Sequence, residues 1–301
     1  MKNVTVSIHP FWNFEIDIPG VSVVRWDFGS EPPVDRADVV VTSHWATPNG
    51  VEMAQKVGAS LLQIGSIGYD MIAPDLPAGL QVANAATVHE AATAETVVLD
   101  LLIALRDVPR MAANTAARTW EPFYAPGLTD KRIVLVGVGG VGSHIAQRLR
   151  AFNVDITYVA SRERDEDFGH VYSLDTAPAE VWAQADAVVV VIPATPDTRG
   201  LIDADFLAKL KDGAVLVNAG RGVLAVNEAL VAEAGRLRIV LDVADPEPLP
   251  ADSPLWDAAF FISHHNGGNT DAMHPRMKAL VERQVRAALA GEDYVNVVLP
   301  R

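Results

Sequence analysis

The chain has 301 residues, of which half are apolar and 21% are charged, so it can bury the cores of two domains of ordinary size. Its formal net charge of −14 argues against nucleic acid or an anionic membrane surface as a partner. It contains no cysteine, which excludes disulfides, thiolate catalysis and cysteine-ligated metal. No signal-peptide pattern opens the chain and no apolar run is long enough to span a bilayer, so a cytoplasmic protein without a membrane anchor is expected.

Short β-branched segments alternate with helical patterns in the first hundred residues. Buried strands are predicted at Val4–Ile8, Val21–Trp26, Val39–Thr42 and Leu61–Ile64. A long, alanine-rich helix without glycine or proline is predicted over Glu90–Arg106. Alternation of strands and helices is typical of a parallel sheet with right-handed crossovers. The first part of the chain is therefore predicted to form an α/β domain.

A second series of strands follows the long helix. It is predicted at Ile133–Val136, Ile156–Val159, Ala187–Ile192, Ala214–Asn218, Ile239–Asp242 and Phe260–Ser263. The last helix, over 275–290, precedes a strand or extended tail. The predicted fold class is α/β, with two doubly wound domains that are Rossmann-like or flavodoxin-like. If the last helix packs on the first domain, that domain is discontinuous and comprises residues 1–103 plus 273–301. The second domain then comprises residues 104–272.

A glycine turn lies between the strand at Ile133–Val136 and the helical pattern after it. Gly137 permits a tight turn, Gly139 lets a pyrophosphate approach the backbone, and Gly142 allows close packing of helix on strand. Gly140 and Val141 contribute amides at the helix N-terminus, where the helix dipole favours an anion. Because the turn follows a strand and opens a helix, it predicts a dinucleotide-binding domain at residues 104–272.

The end of the next strand indicates which dinucleotide is bound. An NAD site places a carboxylate there to hold the ribose 2′-hydroxyl. This chain has Ala160 at that position, followed by Ser161 and Arg162, which can hydrogen-bond a 2′-phosphate. NADP is therefore predicted, with NAD as the second possibility. In the alternative reading, Arg162 and Arg164 are surface residues paired with the acids beside them.

Three further segments lie at predicted strand ends and form a recognisable set. They are Asn218–Gly222 (Asn-x-x-Arg-Gly), Leu241–Pro248 (Leu-Asp-Val…Glu-Pro) and His265–Thr270 (His-x-Gly-Gly-x-Thr). With the glycine turn, this set resembles the D-isomer specific 2-hydroxyacid dehydrogenase family, and the resemblance covers nearly the whole chain. The segment over 64–70 is similar to the substrate-carboxylate loop of that family. Residues 82–84 and 94–95 resemble the start of its interdomain helix.

The resemblance implies that three side chains carry the reaction. Reduction of a 2-oxo acid by hydride leaves an oxygen that needs a proton, which the imidazole of His265 can supply. Glu247 would orient that ring and favour its charged form, and Arg221 would bind the substrate carboxylate. The other carboxylate contacts would come from the amides of Ser66, Ile67 and Gly68. Taken singly, each side chain has a structural alternative. His264, adjacent to His265, leaves the assignment of the acid to be tested.

The resemblance also implies further cofactor contacts after the strands of the second domain. They are Ile192, Pro193, Thr198, Ala219, Gly220, Asp242 and Gly267. Asp242 could reach the nicotinamide carboxamide, or could instead cap the local turn. No residue is assigned to a metal. A homodimer that associates through the cofactor domain is also implied, and residues 107–130 are read as a connection or as an arm for a partner subunit.

The charge of the first domain bears on the substrate. Residues 1–103 contain four strong bases and twelve acids, so a phosphorylated substrate is disfavoured. The prediction is a small 2-oxo acid and its D-2-hydroxy acid, of the glyoxylate or hydroxypyruvate type or larger. His44 and Trp45 could form a pocket wall or pack in the core.

Alternative functions within the resemblance are an NAD-linked phosphoglycerate dehydrogenase-like enzyme and the formate or phosphite dehydrogenase relatives. Glu247 disfavours the formate type, which has glutamine in its place. A nicotinamide-sensing, corepressor-like binding protein without turnover is the alternative from a different functional class.

Overall fold

The computed structural model describes residues 3–44 and 49–300, and the chain divides into two compact units. The first unit comprises Met1–His89 and Thr270–Arg301, and the second comprises Glu90–Asn269. The chain therefore leaves its first unit once and returns to it. Within the described ranges, no helix combines the length and the apolar character that crossing a membrane requires.

Strands and α-helices are interleaved along the chain, and they alternate one by one from the strand Gly169–Ser173 to the strand Val297–Leu299. The strands are β1 (Val4–Ile8), β2 (Val21–Arg25), β3 (Val39–Val41), β4 (Leu61–Gln63), β5 (Gln81–Ala83), β6 (Arg132–Val136), β7 (Asp155–Ala160), β8 (Arg164–Glu166), β9 (Gly169–Ser173), β10 (Ala187–Val190), β11 (Val215–Asn218), β12 (Arg238–Leu241), β13 (Phe261–Ile262) and β14 (Val297–Leu299). The α-helices are α1 (Gly50–Lys56), α2 (Glu90–Arg106), α3 (Val108–Ala116), α4 (Gly140–Leu149), α5 (Ala179–Gln184), α6 (Ala204–Leu207), α7 (Asn227–Ala232), α8 (Leu255–Ala258) and α9 (Met273–Ala290).

The first unit is built on a sheet in the order β14-β5-β4-β3-β1-β2, parallel except for β14, which runs antiparallel to β5. Successive residues of a strand point to opposite faces, so its apolar side chains supply two cores. One core includes Met277, Leu280 and Val281, which are spaced to lie on one face of α9. The other includes Met53 and Ala54 of α1. Burial of apolar side chains on both faces holds the sheet between helices.

The second unit is built on a sheet in the order β13-β12-β11-β10-β6-β7-β9-β8, parallel except for β8. Ile133 and Leu135 share a core with residues of α2 and α4, whereas Val134 and Val136 share one with residues of α5, α6 and α7. After β6, the chain first adds β7 to β9 on one side of this strand. It then crosses to the other side of β6 and adds β10 to β13 outward from it, so the order of strands reverses beside β6. Ligands of such sheets bind at the carboxyl ends of the strands beside this reversal.

The predicted fold class is confirmed, and each predicted strand overlaps an observed one. Three details differ from the predictions. Residues 82–84 do not begin the long helix, because 82 and 83 belong to β5 and α2 begins at Glu90. The β8–β9 hairpin was not predicted, because its exposed, charged edge strand has no apolar alternation. Helix α2 groups wholly with the second unit, while the predicted domain assignment divided it after residue 103.

Candidate active site

The glycine turn after β6 has the geometry that a pyrophosphate needs. Gly137 has φ of 110°, which favours glycine, and a Cβ there would lie 2.7 Å from the carbonyl oxygen of Val191. A Cβ on Gly142 would lie 1.9 Å from the carbonyl oxygen of Gly137, so α4 packs on the turn only without a side chain there. A Cβ on Gly139 would meet nothing within 4 Å. The turn is therefore closed on its protein side and open where the dinucleotide would lie, and Gly140 and Val141 begin α4 there.

Arg162 is exposed just beyond β7, next to exposed Ser161. The neighbouring acids have other partners: Glu163 Oε1 lies 3.1 Å from Nε2 of His170, and Asp165 Oδ1 lies 2.7 Å from its Nδ1. Arg164 donates to Glu166 at 2.6 Å. Arg162 has no ion pair in the described part of the chain. The alternative in which Arg162 pairs with an adjacent acid is therefore not observed.

The ends of β10 and β11 approach each other closely. A Cβ on Gly220 would lie 2.7 Å from the carbonyl oxygen of Ile192. Thr198 holds the loop after Ile192, because its hydroxyl donates to the carbonyl of Pro193 at 2.8 Å. Ala219 is half-buried beside Gly220. These residues follow β10, the neighbour of β6, and β11, the next strand, so they lie at the same sheet edge as the glycine turn.

A histidine, a glutamate and an arginine gather after β11, β12 and β13. Nδ1 of His265 lies 2.7 Å from Oε2 of Glu247, whose Oε1 accepts the amide of Ala244 at 3.0 Å. The guanidinium of Arg221 is close enough to act electrostatically on both groups. Its Nη1 donates to the carbonyl of Gly220 at 2.8 Å. The loops thus bring together three side chains whose outer members, Arg221 and His265, lie 44 residues apart along the chain.

The electrostatics of the pair favour a charged imidazole beside a charged carboxylate. The hydrogen bond to Glu247 raises the pKa of His265, although burial and the Arg221 charge oppose this. Burial would raise the pKa of Glu247, but the hydrogen bonds from His265 and from the Ala244 amide outweigh it, and the pKa is lowered. The side chains of both are little more than one-third exposed, so solvent screens the interaction only in part.

The two adjacent histidines have different surroundings. His264 is exposed, and its ring lies 5.7 Å from that of Trp256. His265 is the one that contacts Glu247. Both have positive φ, 59° and 54°, a conformation that costs free energy in residues other than glycine. The turn therefore has to be held by its neighbours.

Asp242 holds this turn. It is 3% exposed, and its Oδ1 accepts the amide of Asn266 at 3.1 Å and the hydroxyl of Ser263 at 2.9 Å. The amide of Gly267 also binds the carboxylate, and a Cβ on Gly267 would lie 2.7 Å from its Oδ2. The local-turn role that the sequence left open for Asp242 is thus observed.

In the first unit, the predicted carboxylate loop follows β4. The hydroxyl of Ser66 donates to the carbonyl of Gly68 at 2.7 Å, and Asn84 donates to the carbonyl of Ile67 at 2.8 Å. Within residues 3–44 and 49–300, none of the backbone amides of Ser66, Ile67 and Gly68 donates a hydrogen bond. Unused amides in a fixed loop are suited to an anion. His44 packs 4.7 Å from Phe11, whereas Trp45 lies outside the described residues.

The geometry defines a class: an α/β protein with a dinucleotide-binding unit and a histidine–glutamate pair at the same sheet edge. Residues 98–267 match the family model described as D-isomer specific 2-hydroxyacid dehydrogenase, NAD binding domain. The human glyoxylate reductase/hydroxypyruvate reductase is 32% identical over 249 residues, which are 78% of this chain and 76% of that protein. The chain belongs to the D-isomer specific 2-hydroxyacid dehydrogenase family, which confirms the resemblance.

Two further comparisons extend over most of the chain. The D-3-phosphoglycerate dehydrogenase of Mycobacterium tuberculosis is 34% identical over 295 residues, covering 91% of this chain and 55% of that protein. The chain thus spans about half the length of this relative. A solved structure of a D-isomer specific 2-hydroxyacid dehydrogenase family protein from Aeromonas salmonicida superposes with a TM-score of 0.86 at 25% identity, covering 99% of each chain.

Sequence reasoning assigned no role to two residues beside the site, Asp100 and Ser263. Asp100 of α2 is fully buried, and its Oδ2 lies 3.3 Å from the hydroxyl of Ser263. The sequence does single out Asp100, because it is the one charged residue in the apolar segment Thr96–Leu105. A buried charge in an apolar helix requires a partner.

Proposed function

We propose that this chain is an NADP-dependent oxidoreductase that interconverts a small 2-oxo acid and its D-2-hydroxy acid. The observation that carries the proposal is the His265–Glu247 pair, 2.7 Å apart, beside Arg221 in the dinucleotide-binding unit. When bound, the nicotinamide would supply or accept the hydride at the 2-carbon. The residues of this chain would bind the acid and move its proton.

In this proposal His265 is the general acid for reduction and the general base for oxidation. Its raised pKa favours the protonated ring near neutral pH, so a proton is available for the substrate oxygen. Glu247 contacts Nδ1, and Nε2 is proposed as the nitrogen that exchanges the proton with substrate. An imidazole fixed in this way has one orientation and one available proton.

Arg221 is proposed to bind the substrate carboxylate. Its guanidinium presents a planar fork of donors that matches a carboxylate. A cation beside the 2-oxo group also polarises the carbonyl. The amides of Ser66, Ile67 and Gly68 remain a predicted carboxylate-binding loop, supported by their lack of acceptors in the described residues.

The cofactor preference is proposed from β7. The described residues fit a dinucleotide: the glycine turn is open at Gly139, and the N-terminus of α4 follows it. Ala160 stands where an NAD site would carry a carboxylate, and Ser161 and Arg162 after it are exposed. His170 contacts the nearby acids Glu163 and Asp165. Within residues 3–44 and 49–300 Arg162 has no ion pair, which supports binding of the 2′-phosphate of NADP by its guanidinium.

The substrate is proposed to be an unphosphorylated 2-oxo acid, of the kind named for the human relative or larger. The acidic balance of residues 1–103 supports this. The 34% identity to a D-3-phosphoglycerate dehydrogenase favours a second candidate, NAD-linked oxidation of a phosphorylated hydroxy acid. The corepressor-like sensor remains the alternative from another class.

A homodimer in the cytoplasm is also proposed. Helix α3 has no buried residue, and Trp120 and Tyr124 after it are 95% and 98% exposed, which supports an apolar surface for a second copy. Sedimentation of the wild type and of Trp120→Ser with Tyr124→Ser tests the dimer, which a monomeric wild type would exclude. Cell fractionation tests the location.

One assay tests the activity. Oxidation of NADPH or NADH is followed at 340 nm with glyoxylate, hydroxypyruvate and longer 2-oxo acids, and reduction of NAD with D-3-phosphoglycerate is the parallel arm. NADPH-linked reduction of an unphosphorylated acid is expected. Turnover only with phosphoglycerate and NAD would favour the second candidate. Tight NADPH binding without turnover on any acid would favour the sensor.

A further inference from the structure

A buried carboxylate on α2 lies directly behind the proposed active site. Asp100 is fully buried in the second unit, on a helix whose other buried residues after Ala94 are apolar. Its Oδ1 has no hydrogen-bond partner among the described residues. A buried carboxylate pays a large desolvation penalty when charged, so its position requires an explanation.

Asp100 is joined to Asp242 by one hydroxyl group. Ser263 Oγ lies 3.3 Å from Oδ2 of Asp100 and 2.9 Å from Oδ1 of Asp242. Asp242 is itself almost fully buried. Two buried carboxylates therefore contact the same serine, which has only one hydrogen to donate.

The single hydroxyl hydrogen of Ser263 cannot satisfy two ionised carboxylates. If both carboxylates were ionised, Ser263 could donate to only one, and the other would face its lone pairs. With a proton on Asp100, Asp100 donates to Ser263 and Ser263 donates to Asp242. Asp242 also accepts the amides of Asn266 and Gly267, so it is the better stabilised as an anion. Among the residues that the structure describes, no backbone amide donates to Asp100, so Asp100 is the group that retains the proton.

The charges around the two groups agree with this assignment. Burial, with a smaller contribution from the charge of Asp242, raises the pKa of Asp100 to about 7, although the hydrogen bond with Ser263 opposes this. Burial also raises the pKa of Asp242, but Ser263, the His265 charge and the two amides oppose this. Arg238 on β12, which faces α2, donates to the carbonyl of Ala104.

The ionised Asp242 has a specific task. His264 and His265 are both held at positive φ, and the turn has three bonds to Asp242: its carbonyl accepts the amide of His265, and its carboxylate accepts those of Asn266 and Gly267. Rotation of this carboxylate would release two of these bonds. The imidazole of His265 would then lose its fixed approach to Glu247.

We propose that Asp100 is a positioning residue for His265: its protonated carboxyl fixes Ser263, and Ser263 fixes Asp242 against the His264–Gly267 turn. The inference rests on the proposed function of His265 for its catalytic consequence. The hydrogen-bond relay from α2 to the turn does not depend on which substrate is bound.

Four variants test the proposal in the full chain. Asp100→Leu removes the relay, Ser263→Ala interrupts it, and Asp100→Asn keeps a neutral donor toward Ser263. Glu95→Gln, an exposed carboxylate on the same helix, is the matched control. For Asp100→Leu and Ser263→Ala, kcat with NADPH and the best 2-oxo acid should fall by about ten- to a hundredfold, with little change in KM for NADPH. Asp100→Asn should lower kcat by less, and Glu95→Gln should leave kcat unchanged.

Amide hydrogen exchange of Asn266 and Gly267, followed by NMR, gives a readout independent of catalysis. Exchange should be faster in Asp100→Leu and Ser263→Ala and near wild type in Asp100→Asn. If Asp100→Leu does not fold, the exchange rates in Ser263→Ala test the relay. Unchanged protection of both amides in Ser263→Ala would overturn the relay. If the wild type reduces no 2-oxo acid while the amides respond as expected, the proposed function fails and the relay stands.

Discussion

Glu247 and His265 are fixed to each other through Oε2 and Nδ1 at 2.7 Å, and the second carboxylate oxygen of Glu247 is held by the amide of Ala244. The carboxylate is thus anchored at both oxygens, and it can hold the imidazole in one orientation. Because each partner favours the charged form of the other, the pair is set to hold a proton near neutral pH.

Loss of Glu247 should shift the pH dependence of reduction. The imidazole must be protonated to act as the acid, so kcat falls as pH rises through its pKa. Since the hydrogen bond to Glu247 is the largest cause that raises this pKa, Glu247→Gln should move the basic limb of the kcat profile to lower pH. The measurement is kcat against pH in the reductive direction. If the basic limb of the profile stays at the same pH, Glu247 does not raise the pKa of the catalytic imidazole.

The two adjacent histidines should differ sharply on substitution. His265→Ala should lower kcat by roughly 10²–10⁴, because the proton donor is lost. His264→Ala is the matched control, since His264 is exposed against Trp256, and its effect should be far smaller. Both are measured at saturating NADPH. The opposite ranking would transfer the acid role to His264.

The glycines of the turn should separate folding from cofactor binding. Gly142→Ala places a Cβ 1.9 Å from a carbonyl oxygen and should lower Tm by several degrees, because overpacking costs about 1–3 kcal/mol. Gly139→Ala places its Cβ in open space and should change Tm by no more than about 2–4 °C. It should nevertheless weaken NADPH binding by fluorescence titration, because the pyrophosphate approaches there. Wild-type affinity in Gly139→Ala would argue against the predicted path of the dinucleotide.

Arg162 should set the preference between the two dinucleotides. Its charge-assisted bonds to a 2′-phosphate are worth roughly 1.5–3 kcal/mol, so Arg162→Ala should reduce kcat/KM for NADPH by about ten- to a hundredfold. The value for NADH should change little. Arg164→Ala, which removes a guanidinium already bound to Glu166, is the control and should shift the ratio less. Equal losses with both dinucleotides would contradict a phosphate-specific role.

Asp100 should make stability depend on pH. Its pKa is about 7 in the folded chain and near 3.8 when unfolded, so its protonated form stabilises the fold fully below the unfolded pKa. As pH rises, the unfolded state ionises first, and this stabilisation is lost by about pH 7. Relative to Asp100→Asn, the free energy of unfolding should fall by at most about 4 kcal/mol across that range. The free energy of unfolding of both proteins is measured by denaturant titrations at several pH values. If it depends on pH in the same way in the wild type and in Asp100→Asn, Asp100 does not carry the proton.

Much of this protein could be predicted because its signals are local. The β6 strand, the glycines after it and the start of α4 are contiguous, so sequence spacing alone reports their geometry. The same holds for the absence of an acid at Ala160. Arg221, Glu247 and His265 are distant in sequence, but each follows a predicted strand. The carboxyl ends of parallel strands share an edge, so the sheet brings the three residues together.

The tertiary structure decided what depends on contact between distant segments. Sequence spacing could not show that His170 binds the acids beside Arg162, because that contact requires the unpredicted β8–β9 hairpin. Nor could it connect Asp100 with Asp242, since their bond through Ser263 forms only when α2 packs against the ends of β12 and β13. The hydrophobic pattern of a chain determines which elements form and which faces are buried. Hydrogen-bond partners inside the core are selected only when those faces meet.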